Sequence, residues 1–155
     1  ISVHTSLNIK STKKDEIFNE AKLELRVLNG KISFDNSIFI NNNIGLIEVS
    51  NSDLFLENNK LYLTSNLSID IKDTDELFSF LNTNKKSRKN IKNIKLNIIY
   101  DFLSNEIVFK NIKVDDNKVS DQFMNIVEGF TDNNSNNLTK SRRLMNELIN
   151  LYVVG

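Results

Sequence analysis

His4 is the only side chain in the sequence whose ordinary pKa lies close to neutrality. It falls on the polar side of an alternating segment, where a solvated strand histidine is expected rather than the proton acceptor that nucleophilic catalysis needs. The chain has no Cys, which removes thiol nucleophiles, disulfides and thiolate metal ligands together. Its glycines, Gly30, Gly45, Gly129 and Gly155, are too dispersed to build a phosphate-cradling loop. Asp115-Asp116-Asn117 has the residue types of a calcium loop but not the spacing, and no glycine follows at the sharp turn. A polar turn is expected there. Asp73, Asp75 and Glu76 gather carboxylates where a helix start favours negative charge. Asn66-Leu67-Ser68 and Asn137-Leu138-Thr139 match the glycosylation triplet, which recurs by chance in a chain that is about one-sixth Asn. No catalytic residue, no metal ligand and no cofactor is expected, so the chain reads as a non-enzyme.

One charged cluster remains. Lys85, Lys86, Arg88, Lys89, Lys92 and Lys95 fall within a few residues of one another. They suit either a solvated helix exit or contact with anionic head groups, worth on the order of 1 kcal/mol per cation near a charged surface. Nucleic-acid binding would call for interleaved aromatic residues, and none lies between Leu81 and Ile98. The 20 basic and 20 acidic residues also cancel, which argues against a general attraction to nucleic acid. No nucleic-acid partner is expected.

The elements that would position these groups are mostly strands. Val3, Thr5, Leu7 and Ile9 alternate with polar residues, as do Ala21, Leu23, Leu25 and Val27, the period-two mark of a strand with one dry face. Asn29-Gly30 is the strongest short hairpin signal, because both residues tolerate positive φ. Beyond it Ile32, Phe34, Ile38 and Ile40 are expected to share one face. Asn41-Asn42-Asn43 reads as a turn. Residues 44–57 are apolar but shift parity around Ser50 to Asp53, implying a bulge or two short strands. Leu61, Leu63, Leu67, Ile69 and Ile71 form the cleanest row, and Ile94, Leu96, Ile98, Tyr100 and Phe102 repeat it before a turn at Ser104-Asn105. Helices are expected at 74–83, capped by Asp73 with Glu76 in capping-box spacing, at 119–130 and at 139–154. Phe123, Val127 and Phe130 mark the second, and Leu144, Leu148, Leu151 and Tyr152 the third. Thr131 to Asn137 reads as a polar, mobile linker.

Lys72-Asp73-Thr74-Asp75-Glu76-Leu77-Phe78-Ser79-Phe80-Leu81 leads into Asn84-Lys85-Lys86-Ser87-Arg88-Lys89. Ile91-Lys92-Asn93-Ile94, Tyr100-Asp101-Phe102 and Phe109-Lys110-Asn111-Ile112-Lys113-Val114-Asp115 follow. This succession resembles the C-terminal region of AsmA-like proteins of α-proteobacteria, with Leu151-Tyr152-Val153-Val154-Gly155 as the aromatic terminus. The likeness covers about the last 85 residues. Asn84 departs from it, standing where the family pattern would place Pro, and an N-terminal membrane helix is missing. The chain begins at Ile1 rather than Met and reads as a trimmed piece of a larger protein.

The resemblance implies an inner-membrane-anchored envelope protein whose β portion lies on the periplasmic side, involved in envelope lipid homeostasis. Its anchor would be a segment absent from this chain. It also implies a β-groove that shelters phospholipid or another acyl-chain ligand, with envelope membrane proteins as further partners. The expected fold is mainly β, α+β: a curved antiparallel meander of about seven strands. One short inserted helix and two C-terminal helices complete it. Residues 1–118 would form the groove segment and 119–155 a helical cap. Lipid-contact candidates are Leu23, Leu25, Val27, Ile32, Phe34, Leu61, Leu63, Leu67, Ile69, Ile98, Tyr100 and Phe102. Head-group candidates are Lys85, Lys86, Arg88 and Lys89. The alternative is a structural or protein-docking cap that closes a larger groove without binding lipid itself, with the same apolar rows sealed as core.

Overall fold

The computed structural model describes residues 2–11, 17–129 and 138–154, the side chains of 138–141, 153 and 154 excepted. The fold is mainly an antiparallel β-sheet with three helices. Among the described residues, nine strand segments form the sheet: β1 (Ser2–Lys10), β2 (Glu20–Leu28), β3 (Lys31–Ser33), β4 (Ile38–Asn41), β5 (Gly45–Glu57), β6 (Lys60–Ile71), β7 (Asn93–Asp101), β8 (Glu106–Val114) and β9 (Asn117–Lys118). Neighbours in sequence are neighbours in space, the local pairing that short turns permit. β3 and β4 occupy one lane between β2 and β5.

Asparagine and aspartate make many of the turns. Asn29-Gly30, Asn58-Asn59 and Asp115-Asp116 each form a two-residue hairpin loop with both φ values positive. That is the backbone of a type I′ turn, whose twist matches the flanking strands. Among the described residues, eight of the ten non-glycine positions with positive φ are Asn. Asn tolerates the left-handed region better than other side chains do, so in a glycine-poor chain it takes over that conformational work. Gly45 is different. A Cβ there would lie 2.0 Å from the Asp70 carbonyl oxygen, so only glycine lets β5 approach β6 at that point.

Two irregularities lie side by side. The lane breaks between β3 and β4 at residues 34–37, and β5 shifts register against β6 between Ser50 and Asp53, the bulge expected from the parity change. The seam is stitched by side chains: Ser52 donates from its backbone N and its hydroxyl to Asp35 Oδ1, both at 2.6 Å, while Phe34 N donates to Ser52 Oγ. The break also corrects the expected row. Ile32 lies opposite Val27, whereas Ile38 lies opposite Lys22. Opposed residues share a face, so Phe39 joins Ile32, and Ile38 and Ile40 turn to the other side.

The helices are α1 (Thr74–Leu81), α2 (Asp121–Gly129) and α3 (Leu138–Val154), each near its expected span. Asp73 caps α1 by accepting from Asp75 N and Glu76 N, and left-handed Asn82 ends it. The reciprocal half of the capping box is replaced, because Asp73 N donates to Ile44 O. All three helices pack on one face of the sheet, at its β6–β8 end. Phe78 and Leu81 meet Ile91, Val114 and Ile149; Ile112, Phe123, Val127 and Leu148 adjoin them. Thr83 bonds to Asn146, whose Nδ2 donates to Leu81 O at 2.7 Å, fastening α1 to α3. Phe130 and the expected linker at 131–137 lie outside the described residues.

Among the described residues, no apolar side chain before Phe78 is fully buried. Among the described residues, the buried apolar core therefore lies in and under the helical layer. Phe78→Ala is expected to cost about 3–5 kcal/mol, and Phe102→Ala, at a residue 44% exposed, about 1 kcal/mol or less. Urea unfolding of the two variants checks this, and equal losses would contradict it.

Candidate apolar sheet face and its polar reverse

Register sorts the side chains onto two faces. Val3 lies opposite Val27, Val27 opposite Ile32, Ile32 opposite Leu54, Leu54 opposite Leu63, Leu63 opposite Tyr100 and Tyr100 opposite Ile107. One apolar row thus crosses the sheet from β1 to β8. A second row runs Ile9, Ala21, Phe39, Ile47, Ile69, Ile94 and Val114. The rows share a face but differ in their cover. Ile69, Ile94 and Val114 line a wholly apolar cavity of about 250 Å³ between the sheet and α2 and α3. Among the described residues, no member of the first row belongs to a buried cluster.

The twelve candidates divide accordingly. Leu67 and Ile69 line the covered cavity. Leu23, Leu25, Val27, Ile32, Phe34, Leu61, Leu63, Ile98, Tyr100 and Phe102 belong to neither buried cluster, and Leu61 and Phe102 are exposed outright. Tyr100 and Phe102 meet edge-to-face at 4.8 Å, and the Tyr100 hydroxyl donates to Asn105 Oδ1. Sequence reasoning missed Phe39, Ile47, Val49, Leu54 and Leu56 as members of this face. The bulge hides the parity of β5, and the lane break hides that of Phe39. Val3, Leu7 and Ile9 also belong to it, each 45% exposed or more.

The head-group candidates separate too. Lys85 and Lys86 are exposed. Arg88 lies over the Phe78 ring at 5.9 Å, donates to Thr83 O and sits 3.7 Å from Asp75; Lys89 Nζ is 4.8 Å from the Tyr152 ring centre. Both cations hold α1 and α3 in place through ring contacts that no local spacing signals. Lys95 pairs with Asp116 at 2.8 Å, which raises the ammonium pKa and lowers the carboxyl pKa.

The reverse face is mixed: Ile38, Ile40, Ile99, Val108 and the stacked Phe55 and Tyr62 rings lie there beside its polar side chains. Asn111 Nδ2 donates to Asn97 Oδ1, and Asn97 Nδ2 to Asn66 Oδ1, a side-chain ladder over β8, β7 and β6. Its most enclosed charge is Glu24, only 5% exposed. Lys22 Nζ and Ser6 Oγ meet Glu24 Oε1 at 2.7 and 2.9 Å, and His4 Nε2 lies 2.6 Å from Oε2. His4 is therefore a carboxylate partner, not merely a solvated strand residue. Ser6 donates its hydroxyl to Glu24 Oε1 rather than to His4. Lys22 first, then His4 and Ser6, hold the Glu24 carboxyl at about 2, well below its ordinary 4.5.

Among the described residues, no three His, Asp or Glu side chains converge to hold a metal ion, and no helix is long and apolar enough to cross a membrane. The chain matches no protein-family model, no curated protein and no solved structure.

Because Glu24 has a lower pKa folded than unfolded, its contacts stabilise the fold above pH 4.5 and are lost as pH falls toward 2. Glu24→Gln should flatten that part of the stability–pH curve relative to the parent chain, read by denaturant unfolding at stepped pH. Parallel curves for the two proteins through that window would contradict the assignment.

Proposed function

We propose that this chain is a non-enzymatic, lipid-binding segment of a curved β-groove whose uncovered apolar face shelters acyl chains. The observation that carries the reading is the extent of dry sheet outside the helical layer. Leaving a Leu, Ile or Phe side chain in water forfeits roughly 1.5–3 kcal/mol, and extended apolar surfaces on folded proteins generally mark binding sites. An alkyl chain recovers that energy without needing any polar partner, and the face offers very few. The irregularities at 34–37, at Ser50–Asp53 and between Lys95 and Asn97 support a bent sheet, because bulges bend strands and increase twist.

In this reading the chain belongs to an envelope protein similar to the AsmA-like family, on the periplasmic side of a bacterial inner membrane, with phospholipid as ligand and envelope membrane proteins as possible further partners. Its membrane anchor would be supplied from outside this chain. Lys85 and Lys86 would meet head groups, whereas Arg88 and Lys89 serve the packing of α1 and α3. A second role has its own support: α1, α2 and α3 seal one end of the apolar face, as a cap that closes a groove would.

Delipidated protein should take up a fluorescent fatty acid. Ile32→Glu with Leu63→Glu should weaken uptake at least tenfold, a change of about 1.4 kcal/mol, while Thr64→Glu on the reverse face should leave it unchanged. No uptake by the parent chain, or equal uptake by all three, would overturn the proposal.

A further inference from the structure

The cavity beneath α2 and α3 offers nothing polar. No polar atom of the described residues lines it, and its volume of about 250 Å³ is room for roughly eight water molecules. A buried water needs about two to four polar partners, so water gains no hold there. Ile91, Val114, Phe123, Val127, Leu148 and Ile149 in its wall are buried, which sets the cavity apart from the open rows of the same sheet face. Protein interiors seldom leave a space this large unfilled. Here α3 is held at its height from the other side. Asn146 on α3 bonds to Thr83 and donates to Leu81 O, and Arg142 lies over the Phe80 ring at 4.6 Å. Lys89 adds a contact with the Tyr152 ring. These contacts run to α1 and its exit rather than to the sheet, so they keep α3 from settling onto the strands.

The shape is as selective as the chemistry. Leu144, Met145, Leu148, Ile149 and Tyr152 line the cavity in one stripe along α3. From Leu144 to Tyr152 that stripe is about 12 Å long. Dividing the volume by this length leaves a mean cross-section of roughly 20 Å², the girth of one extended alkyl chain. Benzene fits an apolar cavity of about 150 Å³, so the same ratio gives this one room for about ten carbons. We propose that the cavity is a binding site for a single unbranched alkyl chain of about ten carbons, inserted tail first with its polar end left in water. The site is separate from the open face and stands whether or not that face holds lipid.

The test is calorimetric titration of the intact chain with saturated straight-chain carboxylates of six to fourteen carbons, each below its micellar concentration. Affinity should rise about fourfold per added methylene up to about ten carbons. It should then level off, because further carbons would stay in water. Val127→Phe puts a ring into a channel one chain wide and should weaken decanoate binding at least tenfold. Ile32→Glu with Leu63→Glu should lower uptake on the open face but not decanoate binding in the cavity, so the failure of one site leaves the other readable. No binding of any carboxylate by the parent chain, or an affinity that climbs unbroken to fourteen carbons, would overturn the proposal. Decanoate binding that is equal in the parent and Val127→Phe, or lost in the Ile32/Leu63 double variant, would do the same. If Val127→Phe fails to fold, the length series and the double variant decide the matter.

Discussion

A one-layer sheet has two faces to satisfy, and this chain supplies enough helix to cover only part of one. Apolar residues facing one way run from β1 to β8, but the side chains that exclude water over them come from α1, α2, α3 and the loop around Ile91. That imbalance governs the rest of the structure. It concentrates the fully buried apolar residues at one end, from Phe78 onward. The opposite half is left resting on strand pairing and on polar contacts of the reverse face. Hydrogen bonding along the ladder can hold such a half sheet together, but it cannot remove the cost of its wet apolar rows.

The reverse face compensates by tying strands together at discrete points. Glu24 gathers His4 and Ser6 from β1 and Lys22 from its own strand, while Ser37 Oγ accepts from Glu24 N on the next lane. Asp35 and Ser52 close the seam where two lanes lose register together. The Asn66, Asn97 and Asn111 ladder repeats the device farther along. Each cluster joins residues far apart in sequence, so these polar contacts help to fix register beside the apolar rows.

Much of this architecture is legible in the sequence because its signals are local. Alternation at Leu61 to Ile71 and at Ile94 to Tyr100 places those rows on one face, Asn29-Gly30 gives the hairpin, and Asp73 caps its helix. Asn58-Asn59 is a hairpin of the same kind, concealed by the abundance of Asn elsewhere. Ile38 and Ile40 mislead because the lane break reverses parity, an event fixed by Ser37 and Ser52 meeting partners on other strands. The Glu24 cluster and the stacking of Arg88 and Lys89 on aromatic rings depend on tertiary proximity, which no spacing rule conveys. How far the helices reach across the sheet is likewise a matter of packing, and it decides which of the apolar rows are core and which are surface.

The account rests on the open half of the apolar face being wet in the ligand-free protein. Carbene photolabelling of delipidated protein, read residue by residue by mass spectrometry, tests this directly. Leu25, Ile32 and Leu63, half-buried side chains, should be modified several-fold more than buried Phe78 and Ile149. Protection of Leu25, Ile32 and Leu63 equal to that of Phe78 and Ile149 would contradict the account.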